Sequence, residues 1–259
     1  MNASAFKSFA FTKTTSAVAL VALLTLAQAG PAAGGAATVP APGEATAPAP
    51  KDFGAWLADF RREAAQRGIS PATLDLTLTG IEPVQRVLER DRSQAEFKLT
   101  FKEYSSRVIT ADTVERGRAM ARRHGQLLEQ VSLRYGVQPR FIMGIWGIET
   151  RFGQVKGTMP VFPALATLAY DARRPAFFRN ELIAALTMVE RRYIDVGTML
   201  GSWAGAMGQP QFIPSSYLAY AQDFDGDGRR DIWGNEGDIL ASIANYLGKH
   251  GWSTAETWG

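Results

Sequence analysis

Past Asp52, apolar residues recur at helical spacing and almost nowhere at strand spacing, which commits most of this 259-residue chain to helices packed on one another. Phe53, Trp56, Leu57, Phe60 and Ala64 fall on one face, and Gly68 stops that segment. Ser70 and Pro71 open another short helix as N-cap and first-turn residues. Further helices are expected from about Thr113 to Tyr135, Pro139 to Thr150, Pro175 to Arg192 and Asp238 to Lys249. With strand signals scarce and no internal repeat, the body reads as mostly α with several long loops. An apolar share of 46% is ample for one sizeable core.

The N-terminus reads differently. Lys7 and Lys13 precede an apolar run from Ala17 to Ala27, and Ala27-Gln28-Ala29 follows, so residues 1–29 have the three-part order of a cleaved secretory signal peptide. Residues 30–51 hold five of the 13 prolines among alanine, glycine and threonine, which predicts a disordered or polyproline-like tether. No later stretch approaches the roughly 20 apolar residues of a membrane span, so an exported, soluble protein is expected. Without residues 1–29 the balance falls from 28 basic against 25 acidic residues to 26 against 25, which gives no reason to expect nucleic acid. The chain has no cysteine, which excludes disulfides, thiol nucleophiles and the acylated cysteine of a lipoprotein membrane anchor.

One carboxylate stands where a solvated residue should not. Ile142, Ile145 and Trp146 precede Glu149 by seven, four and three residues, so all four share a helix face. A carboxyl held against aliphatic and indole surface loses hydration, and its pKa rises toward the range of a general acid. The competing reading is a helix-end glutamate that reaches water or pairs with Arg151. The segment from Ser202 to Tyr217 is rich in glycine and alanine, which would let a ligand approach the backbone closely. In it, Ser202 and Gln211 offer hydroxyl and amide groups suited to sugars. A tight interhelical loop with Ser215 as N-cap is equally compatible with that composition.

Asp223, Asp225 and Asp227, with Gly228 next and the carbonyl of Arg229 after it, follow the opening of an EF-hand-like calcium loop. Gly234 stands where the usual closing glutamate would be, which leaves Glu236 or Asp238 to close a longer loop. Alternatively the stretch is a solvated acidic turn, with Asp238 capping the last helix. Three alternating aspartates repel without a cation, and that favours a metal in a structural role. Arg173 and Arg174 suit an anionic group or an exposed helix entry. Tyr104 and Tyr246 are sugar platforms in one reading and core residues in the other. His124 and His250 lack metal-ligand spacing.

The string Gly144-Ile-Trp-Gly-Ile-Glu149-Thr-Arg-Phe-Gly153, the loop from Ser202, the aspartate loop and the run from Ala244 to Trp252 together resemble the lytic murein transglycosylase B family in its soluble periplasmic form. The likeness covers roughly residues 52–259. It implies a lysozyme-like catalytic domain with additional N-terminal helices. Glu149 would be the sole catalytic acid/base, Ser202, Gln211, Arg173, Arg174, Tyr104 and Tyr246 would bind sugar, and Asp223, Asp225, Asp227, Arg229 and Asp238 would hold structural Ca2+. It implies peptidoglycan glycan strands as substrate and cell-wall synthesis or division proteins as partners, with no organic cofactor. The family usually has small or aromatic residues where this chain has Gln209-Pro210. Its members continue past the His-Gly-Trp motif, so 52–259 reads as a domain cut short at its C-terminal end.

Ordinary glycosidases use two carboxyl groups. No second acidic residue is placed beside Glu149 by the sequence. The resemblance implies that the muramic C6 hydroxyl takes the place of water, giving a 1,6-anhydro end. A hydrolytic muramidase and an inactive wall-binding protein are the alternatives.

Overall fold

Asp52 accepts the Gly54 N–H and so starts the first helix, α1 (Phe53–Gln66), which turns Trp56, Phe60 and Ala64 inward as their spacing demands. The computed structural model describes residues 52–93 and 99–255; the leader expected at 1–29 and the tether expected at 30–51 lie outside the described residues. Ser70 caps α2 (Pro71–Leu78) as expected. Its N–H and hydroxyl also donate to Glu190, which fastens the start of α2 to a distant helix end. Next come α3 (Gln85–Arg92), α4 (Phe101–Val108), α5 (Ala111–Arg123), α6 (Gly125–Tyr135) and α7 (Pro139–Thr150). The second half contributes α8 (Val161–Tyr170), α9 (Pro175–Glu190), α10 (Pro214–Tyr220) and α11 (Glu236–Lys249). A two-residue antiparallel pair, β1 (Met159–Pro160) with β2 (Leu200–Gly201), is the sheet among the described residues.

The mostly α expectation therefore holds. The segment expected as one helix over 113–135 is two, because His124 leaves helical geometry at φ −105°, ψ 19° ahead of the poor helix former Gly125. That break places the His124 ring edge-on to Trp146, with centroids 5.7 Å apart.

Two cores form. The larger is centred on α8, which is buried along most of its length and is packed by α1, α2, α3 and α9. The smaller joins α6, α7 and α11 through Leu128, Val131, Ile142, Trp146, Ile239 and Ile243. α11 serves both, because its Tyr246 belongs to the larger core. Between them runs the loop over 201–213, which explains its glycines. A Cβ on Gly205 would sit 2.5 Å from Leu165 Cδ2, and one on Gly208 would sit 2.6 Å from Ile232. Both residues also have positive φ, at 80° and 66°. These glycines answer to core packing, which corrects the expectation that they clear space for a ligand. Ser215 is likewise no N-cap; its N–H and hydroxyl donate to the buried Glu181 of α9, and Ile213 holds the cap position.

Gly208→Ala is expected to cost about 2–4 kcal/mol, since it adds both overpacking and a left-handed non-glycine residue. Urea denaturation followed by circular dichroism reads the loss, and an unchanged midpoint would refute this packing account.

Candidate active site

α7 opens on Pro139, whose fixed φ suits a first helical position, and carries its apolar stripe to the C-terminus. There Ile142 and Trp146 are buried, Ile145 is half-buried, and Glu149 is 6% exposed. Glu149 Oε1 is buried with no hydrogen-bond partner. Glu149 forms no ion pair among the described residues, so the alternative of pairing with Arg151 is not taken up. Burial alone drives its carboxyl well above the usual range, and no neighbouring charge contributes. The arrangement favours a protonated acid, and among the described residues no second carboxylate acts on its titration.

The helix stops abruptly after Glu149. Arg151, Phe152 and Gly153 are successive left-handed residues at φ 50°, 58° and 77°. A run of this kind is costly for non-glycine residues, at about 1–2 kcal/mol each. It is held by bonds from the Arg151 N–H to Gly147 O, the Phe152 N–H to Trp146 O and the Gly153 N–H to Thr150 Oγ1. The turn folds the Phe152 ring back under α7, where a Cβ on Gly147 would meet it at 2.7 Å, and against α5 at Gly117.

The end of α7 is bonded to the 201–213 loop. Trp146 Nε1 donates to Gln209 Oε1 at 2.6 Å, and Thr150 Oγ1 donates to Gln209 O at 3.0 Å. Gln209 Nε2 donates onward to Trp233 O at 3.0 Å. The sequence marked Gln209 as a departure from the family pattern; the structure makes it the joint between three segments. In the same loop, Ser202 Oγ accepts the Ala204 and Ala206 N–H groups. Gln211 takes φ 53° and donates through Nε2 to Gly208 O. Ser202, Gln211 and Trp203 line one cleft of about 270 Å3, together with Arg86, Arg90 and Lys156.

Tyr246 stacks on His250 at 4.1 Å and meets Tyr220 edge-on at 5.0 Å. Burial first, and then Tyr220 and Glu149, push its phenol up. Tyr104 lies half-buried on α4. Arg173 and Arg174 are held together by Asp91, which is 3% exposed: Arg173 Nη1 donates to Asp91 Oδ2 at 2.7 Å and to Asp91 O at 2.6 Å, and Arg174 Nη2 donates to Oδ1 at 2.8 Å. Arg174 also lies over the Phe178 ring. Asp91 escaped the sequence reading because α3 is a run of charges that reads as a solvated face.

Asp223, Asp225 and Asp227 bring ligand oxygens within 4.8 Å of one another. Three hard carboxylate donors at that spacing fit a hard divalent cation. Asp238 is fully buried, and its two oxygens accept the Phe224 and Asp231 N–H groups, each at 2.7 Å, so it ties both ends of the loop to α11. The cap of α11 is Asn235, whose Oδ1 accepts the Gly237 and Asp238 N–H groups; its Nδ2 donates to Asp225.

A model of the family described as a transglycosylase SLT domain matches residues 52–259. Over 150 residues the chain is 42% identical to the membrane-bound lytic murein transglycosylase B of Escherichia coli (strain K12), covering 58% of this chain and 41% of that protein. Its backbone matches SltB3 from Pseudomonas aeruginosa in complex with NAG-NAM-pentapeptide, at a TM-score of 0.76 and 42% identity over 81% of this chain and 56% of that one. It also matches the Escherichia coli lytic transglycosylase Slt35 in complex with calcium, at a TM-score of 0.69 and 34% identity over 78% and 64% of the two chains. The chain spans about half the length of the first two of these relatives.

The raised pKa of Glu149 sets a pH dependence. The folded state holds this proton above the unfolded pKa, so stability is present in acid and lost as pH rises from the ordinary carboxylate range through the folded pKa. Glu149→Gln should therefore melt above wild type at pH 8, with the gap closing toward pH 4. Thermal melts across that range check it, and a gap that does not change with pH would contradict the burial assignment.

Proposed function

The chain belongs to the transglycosylase SLT domain family, and on that premise we propose that it cleaves the bond joining N-acetylmuramic acid to N-acetylglucosamine in peptidoglycan without adding water. The observation that carries this reading is Glu149: buried, with Oε1 lacking a hydrogen-bond partner among the described residues, and raised by desolvation with no other described carboxylate acting on it. Protonated Glu149 donates to the glycosidic oxygen as the C1–O bond breaks. The resulting carboxylate then accepts the proton of the muramic C6 hydroxyl as that oxygen bonds to C1, which leaves a 1,6-anhydro end and restores the acid. Atoms balance with no water consumed. The P. aeruginosa neighbour that has been solved with NAG-anhNAM-pentapeptide supports a product of this kind.

Within this reading, Ser202 and Gln211 orient sugar hydroxyl and N-acetyl groups at the cleft, so that charge developing at C1 is met by the substrate's own N-acetyl group. Tyr246 and Tyr104 offer ring faces to pyranoses. Arg173 and Arg174 reach substrate from the Asp91 clamp, since their side chains remain 47% and 40% exposed. Asp223, Asp225 and Asp227 would hold Ca2+, with the Arg229 carbonyl and Asp238 completing the site, and the ion would supply the charge that lets the three carboxylates sit together in the loop that Gln209 grips through Trp233. Residues 1–29 direct export to the periplasm, 30–51 form a tether, and 52–259 carry the chemistry. No helix of the described residues is long and apolar enough to cross a membrane.

Digestion of purified sacculi with product masses tests the reaction. Wild type should release fragments that lack one water relative to hydrolysis products, and Glu149→Gln should slow release by at least about 1000-fold. Hydrated ends would show a muramidase; no dependence on Glu149 would show a binding protein. A calcium site predicts that excess Ca2+ raises the melting temperature by about 5–10 °C over EDTA-treated protein, and that Asp223→Asn/Asp227→Asn abolishes the rise.

A further inference from the structure

Glu149 Oε1 has no hydrogen-bond partner among the described residues, so the carboxyl depends on the helix end that carries it. Three residues of that end close on Gln209. Trp146, one turn before Glu149, donates through Nε1 to Gln209 Oε1 at 2.6 Å, and Thr150, directly after Glu149, donates through Oγ1 to Gln209 O at 3.0 Å. Gly153 completes the contact: at φ 77°, a Cβ there would lie 2.4 Å from Gln209 Oε1, so the chain passes close against the amide. Gln209, Trp146 and Thr150 are all buried.

Gln209 is anchored on its other side as well. Its N–H donates to Ile232 O at 2.7 Å and its Nε2 to Trp233 O at 3.0 Å. That stretch is fixed to α11, since Asp238 accepts the Asp231 N–H and Asp231 accepts those of Trp233 and Gly234. A side-chain amide suits the joint because it accepts and donates at once; an apolar residue of similar length would leave the buried indole N–H unsatisfied.

We propose that Gln209 is the positioning residue of the acid: by holding Trp146 and Thr150 on either side of Glu149, it fixes where the carboxyl sits and keeps water from it. The inference rests on the reading of Glu149 as the acid. Without the amide acceptor, the Trp146 N–H turns toward water, the apolar face around the carboxyl opens, and the proton is released at lower pH. Two titratable rings face this region. Tyr246 on α11 has its phenol pushed up by burial first, and then by Tyr220 and Glu149; His124, at the break between α5 and α6, lies edge-on to Trp146. Neither contributes to the rise at Glu149, which burial produces.

Titration of protein carrying 13C-labelled glutamate, with Glu149→Gln to assign the Glu149 signal, tests the proposal and keeps His124 and Tyr246 from being mistaken for the acid. Gln209→Met keeps the length and loses both amide groups. It should move the Glu149 titration down toward the ordinary carboxylate range and bring the basic limb of kcat/KM on glycan strands with it. Relative to wild type, kcat/KM should fall about tenfold at pH 8 and by less than about threefold at pH 5. Adding Trp146→Phe should shift neither further, because both substitutions remove one bond. A purely stabilising residue would lower the melting temperature and leave titration and limb in place; that result, or additive shifts in the double variant, overturns the Gln209 assignment alone. If Gln209→Met does not fold, the wild type still decides. Its Trp146 indole N–H should resist exchange, and its resonance should follow the Glu149 titration; an indole that exchanges freely or ignores Glu149 overturns the proposal. Digestion of strands by Glu149→Gln at the wild-type rate would remove the enzyme reading and this inference with it.

Discussion

A single buried amide holds the working parts in register. Gln209 accepts the Trp146 indole N–H, donates to Trp233 O, accepts the Thr150 hydroxyl on its carbonyl and donates its own N–H to Ile232 O at 2.7 Å. Buried polar groups are costly unless satisfied, so these bonds specify one arrangement of α7, the 201–213 loop and the aspartate loop. The two cores meet along this junction, and a shift of one against the other would strand several donors at once.

Glu149 derives its character from the same rigidity. Its carboxyl lies on the same helix face as the buried Ile142 and Trp146, and Gln209 fixes the Trp146 indole by accepting its N–H. The left-handed run that follows stops the helix before it can carry the carboxyl further, and the Phe152 ring wedged against Gly147 keeps the turn closed. An acid produced by packing rather than by a neighbouring charge depends on many small contacts. It is therefore tuned by the whole seam and by no single partner.

The sequence made some of this legible. α7 was readable from Pro139 to Thr150 because a proline start and an apolar stripe define it, and Glu149 was conspicuous as the polar member of that stripe. α8 was not readable: a helix buried on nearly all sides has no polar face and so no period, and Pro163 within it suggests a break. The two-helix division at His124 turned on a local dihedral that no spacing records. Asp91 and Glu181 were invisible because what makes each matter, Arg173 and Arg174 for the first and Ser215 for the second, is brought to it only by the fold. The glycines of the 201–213 loop were seen but assigned to a ligand, since a sequence cannot show that Leu165 and Ile232 already fill the space.

The long reach of the N-terminal helices bears on how the molecule is made. Ser70 waits for Glu190, 120 positions later, and Asp91 waits for Arg173, 82 positions later. A nascent chain thus displays Trp56, Phe60 and Leu78 with nothing to bury them until α8 and α9 emerge. Closing contacts at such separation is slow, and exposed apolar faces in the interim invite capture by chaperones or by other unfinished chains. For a protein of this topology, the hazardous interval is during synthesis, when the first helices exist and their partners do not.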